Sequence, residues 1–150
     1  MADTVKPEAA IFDADGTLCD VRGIRHYVEG GNRNFDAFHK ASAFCPPNHD
    51  VVEAVFQQQA LGRKIVVATG RSMKYGLLTF RWLESNGIPV DAMFMRADGD
   101  FRKDVEVKMD ILAEIREEYT PVCAWDDNPS IINLWESEGI PTTVVPGWTG

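Results

Sequence analysis

Two carboxylates one residue apart, Asp13 and Asp15, follow an apolar run at residues 9–12, in the string Ile11-Phe12-Asp13-Ala14-Asp15-Gly16-Thr17-Leu18. Carboxylates held that close repel, and one gains a proton unless a cation offsets the charge. A hard cation such as Mg²⁺ takes oxygen ligands, needs few of them from protein, and leaves room for a phosphate. An ordinary Asp-Gly turn after a strand uses the same residues. A second pair, Asp126 and Asp127, follows the apolar run at residues 121–125, with Pro129 suited to the first position of a helix. Asp127 or Asn128 alone suffices to cap that helix, so capping leaves the other carboxylate unexplained.

Two further strings carry polar chemistry. In Val66-Val67-Ala68-Thr69-Gly70-Arg71-Ser72 an apolar run ends in a hydroxyl, a glycine and a cation. Backbone N–H groups at a helix start bind anions, glycine lets a phosphate approach, and Arg71 can grip phosphate with two hydrogen bonds. Thr69 or Ser72 acting as a plain helix cap is the alternative. In Arg102-Lys103-Asp104-Val105-Glu106-Val107-Lys108, Asp104 and Lys108 are four apart, acid before base, on one helical face. They read as a solvated surface pair, or as a lysine aimed at a phosphate and at an attacking carboxylate.

These strings need elements to position them. Apolar runs at 9–12, 65–68, 92–95, 121–125 and 142–145 predict five short strands buried on both faces. Helices are predicted at 50–61 (Val51, Val52, Val55, Phe56 inward), 73–85 (Leu77, Leu78, Phe80, Trp82), 105–119 (Val105, Met109, Leu112, Ile115) and 130–137 (Ile131, Ile132, Leu134, Trp135). Alternation of this kind predicts an α/β domain with a mainly parallel sheet, whose ligands collect at the carboxyl ends of the strands. Residues 82–89 and 134–141 echo each other. Each reads as a helix ended by a left-handed glycine, then an apolar residue and a proline entering a strand. The segment at about 19–49 shows no clear period. It predicts an insertion or lid over the site, with a short helix near 35–43.

The chain of 150 residues carries a formal net charge of −8 and reads as one domain. Six of its 23 acids lie in residues 117–150, where there is no Lys or Arg. Such a chain is not expected to grip nucleic acid along an extended basic groove. Cys19, Cys45 and Cys123 are an odd, widely spaced set, which predicts reduced thiols and a cytoplasmic protein. No apolar run is long enough for a membrane span, and no secretory signal opens the chain.

The order of the four strings resembles the haloacid dehalogenase-like superfamily. Its D-x-D-G-T, Ser/Thr, Lys and acidic-pair pattern stands here as Asp13/Asp15, Thr69, Lys108 and Asp126/Asp127, across nearly the whole chain. Residues 66–71, Arg102-Lys103-Asp104 with Lys108, and Asp126-Asp127 before a Trp-bearing helix are also similar to the phosphatase domains of phage polynucleotide kinase-phosphatases. No G-x-x-x-x-G-K-[ST] string occurs, so no kinase half is expected within these residues.

The resemblance implies a Rossmann-like three-layer fold and a five-stranded, mainly parallel sheet, with a small cap or insertion after the first strand. It implies a Mg²⁺-dependent phosphomonoesterase. Asp13 would be the nucleophile and Asp15 the acid and base. Mg²⁺ would be held by Asp13, the carbonyl of Asp15 and Asp127, with Asp126 behind them. Thr69, Gly70 and Lys108 would bind the phosphoryl group, and Arg71 and Asp104 would orient substrate or lysine. The implied substrate is a phosphorylated nucleic-acid 3′ end or nucleotide, with Arg22, Arg25, Arg33, Arg96, Arg102 and Lys103 as local cations. A small-molecule phosphatase and a non-catalytic phosphate-binding module are the competing readings.

Overall fold

Short runs of β-branched and small apolar residues become strands here because helices cover both of their faces. The computed structural model describes residues 5–147. The strands are β1 (Glu8–Phe12), β2 (Lys64–Ser72), β3 (Ala92–Arg96), β4 (Thr120–Asp126) and β5 (Thr142–Val144). All pair in parallel, in the order β3-β2-β1-β4-β5. The helices are α1 (Phe35–Ala41), α2 (His49–Ala60), α3 (Gly76–Ser85), α4 (Asp104–Glu118) and α5 (Pro129–Ser137).

Alternation along the strands divides the core into two layers. Ala10, Phe12, Ile65 and Val67 meet Phe38 of α1, Val51 and Val55 of α2, and Trp82 and Leu83 of α3. Ala9, Ile11, Val66, Ala68 and Ala124 meet Ile111, Leu112 and Ile115 of α4, and Ile131 and Trp135 of α5. From β1 the chain winds one way through β2 and β3, then returns to place β4 and β5 on the other side. The strand order therefore reverses between β1 and β4, where an open α/β sheet leaves a crevice at its carboxyl edge. The echoing turns are real. Gly87 and Gly139 have φ of 67° and 81°, and Ile88 and Ile140 donate back to Leu83 O and Trp135 O at 3.0 and 2.9 Å.

Several expectations change. Strand β2 runs on to Ser72, and residues 73–75 form a 3₁₀ turn, so α3 starts only at Gly76. Its inward face is Thr79, Trp82 and Leu83, while Leu77 and Phe80 face solvent. Lys108 takes a buried position on α4, while Met109, predicted inward, is exposed. Phe56 on α2 is likewise half-exposed.

The segment after β1 is anchored to the body at its ends and through Phe38, while residues 29–36 are exposed. Cys19 and Pro47 bridge its two ends, Val21 and Phe38 are buried, and Trp82 Nε1 donates to Cys45 O at 2.9 Å. Among the described residues, the three cysteines are free thiols and no helix is long and apolar enough to cross a membrane.

Candidate active site

Strand β1 delivers Asp13 to the crevice, and the next six residues fold tightly back on it. Asp13 N donates to Trp125 O at 3.2 Å, Leu18 N to Asp13 O at 3.3 Å, and Gly16 N to Cys19 O at 2.9 Å. Gly16 has φ of 80°, which L side chains rarely adopt. A Cβ built there would also run into the Asp127 carboxylate. Glycine at this position therefore lets the β1 loop and the β4 loop approach each other. Thr17 strengthens that approach by donating from Oγ1 to Asp127 Oδ1 at 3.3 Å.

Lys108 reaches in from α4. It is 2% exposed, and its Nζ lies 3.2 Å from Asp13 Oδ1 and 3.5 Å from Asp126 Oδ2. Burial disfavours the ammonium, yet Asp13 and then Asp126 outweigh it and hold the lysine protonated. Of the two readings of Asp104 and Lys108, the surface pair does not form. Asp104 pairs with Arg96 at 2.5 Å, and the lysine turns to the strand ends instead. Asp104 also sits against Gly70, where a Cβ would stand 2.9 Å from its Oδ1.

Arg71 is the largest revision. The sequence reads it as a phosphate contact at a helix start, but β2 has not yet ended there. Its side chain is buried and makes a two-pronged pair with Asp15, Nε to Oδ2 at 3.0 Å and Nη2 to Oδ1 at 2.5 Å. Nη1 donates to Thr79 Oγ1 at 2.9 Å, and Thr79 donates in turn to Tyr75 O at 2.8 Å. Arg71 thus grips Asp15 through Nε and Nη2 and Thr79 through Nη1, from a side chain that is 2% exposed. Thr69 is buried, and its Oγ1 accepts from Arg71 N at 3.2 Å, which leaves the hydroxyl proton to donate.

The carboxylates differ in charge state. Burial pushes Asp13 well above the usual range, with Asp126, Asp127 and Asp15 adding to it and Lys108 opposing it. Asp127 is pushed up to about 6, by burial and then by Asp126. Burial also works against ionised Asp15, but Arg71 outweighs it and holds that carboxyl below the usual range.

Asp13, Asp126 and Asp127 each offer a ligand atom within 4.8 Å of the others. Asp127 Oδ2 is buried without a hydrogen-bond partner and faces the space that Gly16 keeps open. A hard divalent cation fits this donor set, since oxygen is the only ligand type present and an orphaned carboxylate oxygen needs a positive partner. The Asp15 carboxylate lies outside the group because Arg71 has claimed it.

Among the residues predicted for the site, Asp13, Lys108, Asp126 and Asp127 meet directly, and Arg71 and Asp15 meet beside them. Thr69 joins through Arg71 N, and Gly70 lies against Asp104. Gly16, Thr17, Thr79 and His39 were not assigned roles. Gly16 and Thr17 stand in the D-x-D-G-T string itself and were findable. His39, whose Nδ1 lies 4.0 Å from Asp15 Oδ2, comes from the segment after β1, where the sequence shows no period.

Residues 7–147 match the family model described as the polynucleotide kinase PNKP phosphatase domain. Over 139 residues the chain is 29% identical to a protein of Autographa californica nuclear polyhedrosis virus named "Putative bifunctional polynucleotide kinase/RNA ligase". That match covers 91% of this chain and 19% of the viral protein. A chain in the solved Pnkp1/Rnl/Hen1 RNA repair complex is 28% identical, with a TM-score of 0.81, over 95% of this chain and 43% of that one. The class C acid phosphatase of Bacillus anthracis, with tungstate bound, shares the fold at a TM-score of 0.70 and 15% identity, over 96% of this chain and 68% of its own. The chain spans a fifth of the viral relative and under half of the chain in the repair complex.

Proposed function

The chain belongs to the family of PNKP phosphatase domains, a phosphoric monoester hydrolase of that kind, and from there we propose that it removes 3′-phosphates from nucleic-acid ends with Mg²⁺. Residues 1–150 act as one phosphatase domain, with the segment at about 19–49 as its insertion. The observation that supports this most is the buried Lys108 ammonium between Asp13 and Asp126, beside the unpartnered Asp127 oxygen. A structural ion pair needs one carboxylate; this lysine has two, and a third stands beyond them.

Asp13 attacks phosphorus, the P–O ester bond breaks, and the leaving 3′-oxygen takes a proton from Asp15. Water, deprotonated by Asp15, then attacks the aspartyl-phosphate and releases inorganic phosphate and free Asp13. Arg71 keeps Asp15 ionised in the free protein, so Asp15 must gain its proton as substrate arrives. An incoming phosphate dianion favours that uptake, because like charge raises a neighbouring carboxyl pKa. Lys108, the Thr69 hydroxyl and the backbone at Gly70 hold the phosphoryl oxygens, whose charge the ammonium offsets. Asp13, Asp127 and the carbonyl of Asp15 would hold Mg²⁺, while Asp126 stays with Lys108 and fixes it. Bound there, the cation would offset carboxylate charge and polarise a phosphoryl oxygen. The free thiols support a reducing, cytoplasmic setting.

The test compares phosphate release from a 3′-phosphorylated oligonucleotide, a nucleoside 3′-phosphate and a sugar phosphate, each with Mg²⁺ and with EDTA. The oligonucleotide should have the highest kcat/KM, and EDTA should stop turnover. A sugar phosphate turned over as efficiently would contradict the nucleic-acid assignment, and EDTA-resistant turnover the metal.

A further inference from the structure

Phe101 stands in the loop between β3 and α4 and is 94% exposed. Lone apolar residues on a surface are common and mean little by themselves. This one differs in what surrounds it. Arg96, just before the loop, donates from Nη1 to Asp100 O at 2.9 Å and to Arg102 O at 2.7 Å. The carbonyls on both sides of Phe101 are thus fixed by one guanidinium, whose Nε also donates to Gly70 O at 2.8 Å. Arg102 grips Asp100 through Nε and Nη2 at 3.0 and 2.9 Å, and Asp98 Oδ1 accepts from Lys74 N at 2.9 Å. The backbone is pinned to the site strand, and the aromatic ring stands in solvent among exposed polar neighbours.

Its place matters as much as its rigidity. Along α4, Lys108 follows Asp104 by about 6 Å, and three residues of loop add at most about 10 Å. Phe101 therefore lies within reach of the nucleotides next to a phosphate held at Lys108.

We propose that Phe101 is a nucleobase-stacking site that holds the substrate strand beside its terminal phosphate. The proposal rests on the nucleic-acid reading above and adds the residue that selects a strand over a small phosphate. Charge points to stacking rather than to a phosphate grip. Both guanidiniums at the loop are already matched, Arg96 by Asp104 and Arg102 by Asp100 and Asp110, which leaves the exposed Lys103 as the one remaining cation in residues 97–103. An acidic chain presents no general attraction for phosphates, whereas a ring stacks on any base and needs no positive field.

The experiment measures kcat and KM of the full chain and of Phe101→Ala and Phe101→Trp, on a 3′-phosphorylated oligonucleotide and on glycerol phosphate, at low and high salt. Phe101→Ala should raise KM for the oligonucleotide about tenfold, with kcat and the glycerol phosphate reaction unchanged. Phe101→Trp should restore KM, and wild-type KM should change little with salt. A wild type that prefers the oligonucleotide, with Phe101→Ala unchanged, overturns the stacking site and leaves the nucleic-acid reading standing. A wild type with no preference for the oligonucleotide overturns both. Equal losses on both substrates, or a steep salt dependence shared by wild type and Phe101→Ala, would also overturn stacking.

Discussion

The β4 side of the site gathers three carboxylates near one cation; on the β2 side one carboxylate meets one cation. Asp13 and Asp126 flank a single ammonium with Asp127 beyond them, and burial leaves Asp13 and Asp127 reluctant to ionise. Asp15, two residues from Asp13, sits in the fork of a buried arginine and is held ionised. Equal side chains on one loop are thus set to different tasks by their partners alone. One side offers oxygen ligands that could hold a metal ion. The other keeps a single carboxylate aimed and charged.

The comparison breaks hardest at Lys108. Lys108→Ala strands two buried carboxylates, so turnover should fall at least about 10³-fold and stability by about 3–5 kcal/mol. Activity assays and urea unfolding at one pH check both. A variant with near wild-type turnover would remove the lysine from the account.

Arg71→Lys keeps the charge but loses the fork. Asp15 is then held by one contact instead of two, and kcat should fall roughly 10- to 100-fold with little change in KM. A rise in KM at constant kcat would instead return Arg71 to the role of substrate ligand.

The uneven charge also predicts a pH effect. The folded-state pKa of Asp127 is raised above its ordinary 3.8 to about 6, so the metal-free folded chain carries an extra proton between those values. Its contribution to stability is greatest at low pH and is lost as pH rises through that window. Mg²⁺ held by Asp127 as proposed would compete with the same proton, so the Mg²⁺-induced rise in Tm should be larger at pH 7.5 than at pH 5. Equal rises at both values would separate Asp127 from the metal. The smallest effect is expected for Thr17→Val, which removes one buried hydrogen bond to Asp127 and should cost about 1 kcal/mol. Mg²⁺ titrations should show weaker affinity in that variant; unchanged affinity would make Thr17 purely structural.

Much of this arrangement is legible from local sequence. The five apolar runs mark the five strands. In β1 and β2 the residues are buried on both faces and so must be apolar, whereas the edge strands β3 and β5 are half-buried or exposed, against the expectation of burial on both faces. Asp13, Lys108, Asp126 and Asp127 stand out because strand ends and a helix face set their positions locally. Arg71 does not, since its partner is 56 residues away and its direction depends on where β2 stops. The inward face of α3 was misread for the same reason: Thr79 turns in to receive Arg71, and Leu77 and Phe80 turn out. His39 lacked a signal altogether, because only the folded insertion brings it to Asp15.

The most direct test is phosphate release from a 3′-phosphorylated oligonucleotide with Mg²⁺, by the wild-type chain and by Asp13→Asn at matched circular dichroism and Tm. The amide has nearly the same shape and is a poor nucleophile, so the wild type should turn over repeatedly and the variant should release no phosphate. Steady turnover by Asp13→Asn would contradict Asp13 as the attacking group.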